Sequence, residues 1–154
     1  MRKMLLSFRA DVYERILSGE KIYEHRNVFP NEEIEAYLYV SKPMQCITGK
    51  MILGSKIDMN EWILEYSYDD DAVQRISQYI KKQKYAMEIR EFRETNEIKL
   101  GKLREELSRF IVPQMYYYLD NTELLEYLEK NIKETGVVVK HNFDNIDSTE
   151  ICKW

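Results

Sequence analysis

Cysteine and histidine are scarce in this chain. Its 154 residues hold two of each, and Cys46 and Cys152 lie far apart, with no metal-type spacing. A histidine-based zinc centre is not expected, and free thiols in a reducing cytoplasm are the simplest placement. No apolar run approaches the ~18 residues that a membrane-crossing helix needs. The apolar stretch behind the basic start Met1-Arg2-Lys3 is too short for a secretory leader. Repeats, low-complexity segments and Gly/Ser linkers are missing, so one domain is expected over residues 1–154. Also missing are a phosphate-binding glycine loop and a Gly-x-Ser-x-Gly elbow. No cofactor, metal site or membrane association is expected on these grounds.

What remains is an ordinary globular composition, 44% apolar and 32% charged, in a chain long enough to bury a core. Twelve tyrosines stand against five phenylalanines, which points to many half-buried rings with polar tips. Net charge is −4, so a generally basic nucleic-acid track is excluded. The charge is uneven, however. The first 60 residues carry nine Lys/Arg against eight Asp/Glu, and the rest carry fourteen against nineteen. An anionic ligand would meet the first part of the chain.

Taken in order, residues 4–8 read as a buried strand. Asp11 with Glu14 three positions on has the pattern of a capping box, and Val12, Ile16 and Leu17 make the apolar stripe of a short helix. Ser18-Gly19 stops it. A strand over residues 22–28 follows, then turn residues around Pro30, then a strand with Ile34, Ala36, Leu38 and Val40 on one face; a short connection of this kind predicts a hairpin. Residues 46–57 read as one long strand, bent at Gly49 and Gly54. Helices are expected over residues 60–66 and 69–84, the second with Lys81, Lys82 and Lys84 placed as a helix dipole favours. Further strands are expected at 85–92 and 98–100, a helix reaching towards Pro113, and an extended Tyr116-Tyr117-Tyr118 whose rings alternate. Residues 122–134 show the clearest helical spacing, in Leu124, Leu125, Leu128 and Ile132. Val137-Val138-Val139 reads as an edge strand, and residues 140–154 as a loosely packed tail.

The stretch that gathers chemistry is Gly19-Glu20-Lys21-Ile22-Tyr23-Glu24-His25-Arg26. Gly19 suits the left-handed position after a helix. Beyond it, strand alternation puts Glu24 and Arg26 on one face with Ile22 and Val28. A half-apolar face desolvates both groups and obliges each to find a partner. With Lys21 in the turn, and Tyr23, Ser41 and Lys42 near the same mouth, two cations beside one carboxylate favour an anionic ligand. Arg26 offers a planar fork to a phosphate or base edge. Lys21 offers a point charge, and Glu24 an orienting acceptor. The alternative is a charged turn with one surface ion pair. His25 falls on the other strand face and reads as a structural or surface residue.

The pattern Gly-x-Lys-x-x-Glu-x-Arg after a short helix resembles the signature of the ASCH family, the activating signal cointegrator homology domains. Tyr39-Val40-Ser41-Lys42-Pro43, Ile47-Thr48-Gly49 and the run from Phe110 to Leu119 resemble later segments of that family less specifically. The resemblance implies an α+β, PUA-like mixed β-barrel of about five to six strands with flanking helices. Its core would cover about residues 1–120, with a C-terminal helix and tail over 121–154. It also implies an intracellular module binding RNA or a nucleotide through Lys21, Glu24 and Arg26, with Tyr23, Ser41 and Lys42 around them. One alternative is a small hydrolase, a ribonuclease or an amidohydrolase on a modified nucleoside, with Lys21 and Glu24 catalytic. Small bacterial relatives that deacylate acetylated cytidine use a lysine and a threonine of this motif. Here Lys21 matches, and Glu24 stands where the threonine would be. A third reading is a regulator whose tyrosine-rich surface binds protein.

Overall fold

The computed structural model describes residues 1–153. In chain order its elements are β1 (Arg2–Phe8), α1 (Ala10–Leu17), β2 (Tyr23–Arg26), β3 (Ile34–Val40), β4 (Cys46–Leu53) and β5 (Ile57–Asp58). Then come α2 (Met59–Glu65), α3 (Asp70–Ile80), β6 (Tyr85–Thr95), β7 (Ile98–Lys99) and α4 (Leu100–Glu106). The chain finishes with β8 (Tyr116–Tyr118), α5 (Glu123–Asn131), β9 (Glu134–Lys140) and a 3-10 turn over Ser148–Glu150. Among the described residues five helices accompany a mixed β-sheet, the α+β PUA-like class that the family resemblance implies. Among the described residues no helix is long and apolar enough to cross a membrane.

The chain divides into two compact units. The first comprises Met1–Ile22, Glu33–Leu53 and Ile89–His141. Here β3 is central, parallel to β1 and antiparallel to β4. β1 also pairs with β8, and β4 with β7 and with the second half of β6, which in turn carries β9. Both faces of β3 are covered. Ala36, Leu38 and Val40 are fully buried, and so are Leu53 and, to 1%, Met51. Tyr37 and Tyr39 point the other way into a cluster with Leu103, Leu107, Phe110, Leu124 and Leu128 from α4, α5 and their flanks. Each such side chain contributes about 1.5–3 kcal/mol by leaving water.

Gly49 produces the bend foreseen from the sequence. Between the pairs Tyr37↔Lys50 and Tyr39↔Ile47, β4 advances three residues while β3 advances two, which defines a bulge. Gly49 has φ +87°, and its N–H donates to Thr95 Oγ1 at 2.7 Å. A Cβ there would lie 2.7 Å from the Phe92 ring. The three tyrosines of β8 alternate as predicted. Tyr116 and Tyr118 pack edge to face, Arg2 lies 3.3 Å over the Tyr118 ring, and Tyr117 turns to the core and donates to the Ile111 carbonyl at 2.7 Å.

The second unit comprises Tyr23–Glu32, Gly54–Glu88 and residues 142–153. In it β2 and β5 pair antiparallel with the first half of β6, and α2 and α3 pack together. Asp58 caps α2 and Asp69 caps α3 through their carboxylates, which satisfies N–H groups that a helix start leaves open.

Four expectations are corrected. β2 and β3 do not form a hairpin. Both edges of β3 are taken, by β1 and β4, and β2 pairs with β6 instead. Asp11 does not cap α1. The cap position is Arg9, and Asp11 lies in the first turn paired with the Arg9 guanidinium at 2.8 Å. The apolar face of β2 does not extend to Val28, which is 58% exposed because the strand ends at Arg26. Residues 142–153 are not a loose tail. Arg75 donates to the carbonyls of Ser148 and Ile151, Ser148 donates to Asp69 at 2.6 Å, and Ile151 and Cys152 are buried. Backbone-directed anchors of this kind leave no hydrophobic periodicity in the sequence.

Candidate functional site

The segment over residues 19–26 begins where α1 stops. The Ser18 N–H returns to the Glu14 carbonyl, and the Gly19 N–H returns to Ile16 O at 3.1 Å. Gly19 has φ +83°, the left-handed conformation foreseen for it. A Cβ at Gly19 would meet Val139 at 3.4 Å, so both the backbone and the neighbouring β9 favour glycine. The Lys21 N–H then bonds Arg15 O at 3.0 Å, and Ile22 O accepts from the Ile89 N–H at 2.8 Å. Two backbone bonds therefore fix the chain immediately before β2.

In the first unit, Lys21 is buried, with 8% exposure. Ser41 and Lys42 occupy the loop after β3. The Ser41 N–H donates to Phe8 O at 2.9 Å, and its carbonyl accepts from the Met44 N–H. Lys42 is exposed and joined to Pro43 by a cis peptide bond.

In the second unit, Glu24 is 6% exposed and Arg26 is half-buried. The structure brings these two together. Arg26 Nε and Nη2 both donate to Glu24 Oε2, at 3.2 and 2.9 Å, while Glu24 Oε1 accepts the His25 N–H at 3.0 Å. Their side chains are only 7% and 16% exposed. A pair so placed is unlike a solvated surface bridge, because each partner holds the other in a poorly hydrated place. The arrangement orients the Arg26 fork. It also occupies both oxygens of Glu24, which suits an orienting acceptor better than a base awaiting a proton.

Tyr23 and His25 alternate to the opposite face of β2. The Tyr23 ring meets Trp62 at 5.0 Å and Phe143 at 5.2 Å, and His25 packs edge-on against Tyr79 at 4.9 Å. Burial pushes the Tyr23 hydroxyl well above its ordinary pKa, and the negative potential of neighbours including Glu88 and Glu65 pushes it further. Tyr23 therefore lines a cavity with Trp62, Tyr66 and Phe143. Reading the sequence did not group those aromatics. Only the excess of tyrosine hinted at them.

Cys46 is fully buried, and its thiol is pushed up to about 11, by burial first and by Glu97 second. That makes it an unreactive thiol rather than a nucleophile.

No family model matches the sequence, and no curated protein matches it closely enough to count as a relative. Solved structures do match. The structure of the ASCH protein of Zymomonas mobilis aligns with TM-score 0.62 at 21% identity, over 86% of this chain and 96% of that one. A tyrosine-to-phenylalanine mutant of the Zymomonas mobilis protein aligns with TM-score 0.63 at 20% identity, over 86% of this chain and 100% of that one. A serine-to-alanine mutant aligns with TM-score 0.58 at 20% identity, over 84% and 96%. Likeness at this level of identity establishes architecture and leaves chemistry to the residues. The fold of this chain is ASCH-like.

Proposed function

We propose that this protein is an ASCH-type module that binds RNA or a nucleotide through residues 19–26, with Lys21, Glu24 and Arg26 as the contacting groups. One observation carries the reading. Among the described residues, the charged side chains that are buried are Lys21 and Glu24, at 8% and 6% exposure, and both fall in this one short segment. Burying charge is costly, and a segment that does so twice within four residues holds those charges for more than solubility. Arg26, oriented by Glu24, presents a planar fork suited to a phosphate or a base edge. Lys21 supplies a point charge. Ser41 and Lys42, on the loop after β3, are the accessory contacts, whereas Tyr23 faces the opposite side of β2 against Trp62 and Phe143.

The net charge of −4 fits a ligand of one or two nucleotides better than a long track. Hydrolysis is the second reading, with Lys21 and Glu24 as its catalytic pair. The hydrogen bonds already made by both Glu24 oxygens speak against it.

Fluorescence anisotropy with a labelled single-stranded RNA oligonucleotide tests the proposal. Arg26→Lys keeps the charge and loses the fork, and weakens binding roughly fivefold or more, as the loss of one bidentate contact does. Lys82→Ala, beyond the end of α3, leaves affinity unchanged. Equal loss in both variants would assign the RNA to another surface. Oligonucleotide recovered shortened from the wild type, and intact from Glu24→Gln, would favour the hydrolase.

A further inference from the structure

A cavity of about 550 Å³ opens within the second unit, on the face of β2 opposite Glu24 and Arg26. Its aromatic walls are Tyr23, Trp62, Tyr66, Tyr68 and Phe143. Tyr23 bridges Trp62 and Phe143, and Tyr66 stands 6.3 Å from Tyr68. Four carboxylates share the lining. Glu61 and Glu65 lie one turn apart on α2, Glu88 is on β6, and Asp144 is in the segment after β9. None of the described lining residues is Lys, Arg or His. The Tyr23 hydroxyl is pushed upward by burial first, and Tyr66, Glu88 and Glu65 add to that shift.

Ring faces and carboxylates both attract cations, and a phosphate would be repelled. Among the described residues no three His, Cys, Asp or Glu side chains converge as a metal site requires. Four carboxylates with rings in the same lining suit an organic cation that carries several ammonium groups on a methylene chain. The volume falls in the range of small-molecule sites, about 300–1,000 Å³. We propose that this cavity binds a small free aliphatic polyamine, its ammonium groups on Glu61, Glu65, Glu88 and Asp144 and its methylenes against Tyr68, the lining ring that is 75% exposed. The site uses none of the groups assigned to the anionic ligand and stands independently of that proposal.

Isothermal titration of spermidine into the whole protein at low salt tests it. The expected result is saturable binding of one spermidine per chain. The double variant Glu61→Gln/Glu65→Gln, at two exposed positions of α2, weakens binding about tenfold or more. Tyr68→Ala, removing a ring that is 75% exposed, weakens it severalfold. Glu105→Gln on α4 removes one carboxylate charge from the first unit and changes nothing. Thermal melts confirm that each variant is folded. The proposal is overturned by absence of saturable heat, by equal loss in Glu105→Gln, or by Mg²⁺ displacing spermidine at equal charge concentration. A short lysine peptide that binds where spermidine does not would also overturn it.

Discussion

A carboxylate that is 7% exposed cannot be treated as surface decoration, and Glu24 shows the consequence at the scale of single residues. Its partner Arg26 has both Nε and Nη2 committed to it, so Glu24→Gln removes the negative charge that holds a largely buried guanidinium. Disrupting a buried pair from one side costs about 3 kcal/mol. The urea midpoint of Glu24→Gln therefore falls clearly, whereas Asp11→Asn, which disrupts the exposed pair with Arg9, leaves it within error. Equal midpoints for the two variants would show that the Glu24 pair is energetically a surface pair. The need of Glu24 and Arg26 for partners was legible in the sequence from strand alternation. That they would satisfy each other was not, because alternation gives a shared face and no distances.

At the scale of elements, two glycines make opposite predictions. Gly49→Ala places a Cβ 2.7 Å from Phe92 at φ +87°, in a bulge closed by Thr95. Strain and overpacking together cost about 2–4 kcal/mol. Gly101, in α4, has open space around its would-be Cβ, and Gly101→Ala gains about 0.5 kcal/mol from helix propensity. Differential scanning calorimetry of the two variants checks both signs, and a stabilised Gly49→Ala would remove the bulge from this description. The bulge could be anticipated because a glycine inside an alternating run has few other uses. Pairing was another matter. A short connection between β2 and β3 suggested a hairpin, yet β2 pairs with β6, some sixty residues away in sequence. Local turn chemistry carries no information on whether both edges of a strand are already occupied.

For the molecule as a whole, alkaline pH probes the core. Burial raises the Cys46 thiol from 9.0 to about 11, and raises Tyr37 and Tyr117 from 10.0 to about 12. Below pH 9 these groups are neutral in both states and their stabilising contribution is complete. As pH climbs from 9 to 11 the unfolded chain ionises Cys46 and the folded chain does not, so stability falls across that window. The tyrosines extend the fall towards pH 12. Urea midpoints between pH 8 and 10.5 should decline, and Cys46→Ala should flatten the earliest part of the decline. A flat profile in the wild type would contradict the buried placement of these groups. The fold class was legible only through the resemblance of Gly-x-Lys-x-x-Glu-x-Arg and its flanking elements to the ASCH signature. The anchoring of residues 142–153 and the aromatic cavity were not, because both depend on contacts between segments with no shared pattern.

The central claim, a phosphate-bearing ligand held by Lys21 and Arg26, is tested most directly by the salt dependence of RNA binding. Single-stranded nucleic acid loses roughly 0.7 of a logarithmic unit of slope per neutralised phosphate. Two cations therefore predict a log–log slope of about −1 to −2, shallower by about 0.7 in Lys21→Met, provided that circular dichroism shows the variant folded. A slope steeper than about −4, unchanged in Lys21→Met and Arg26→Lys, would show a broad basic track elsewhere and contradict the account.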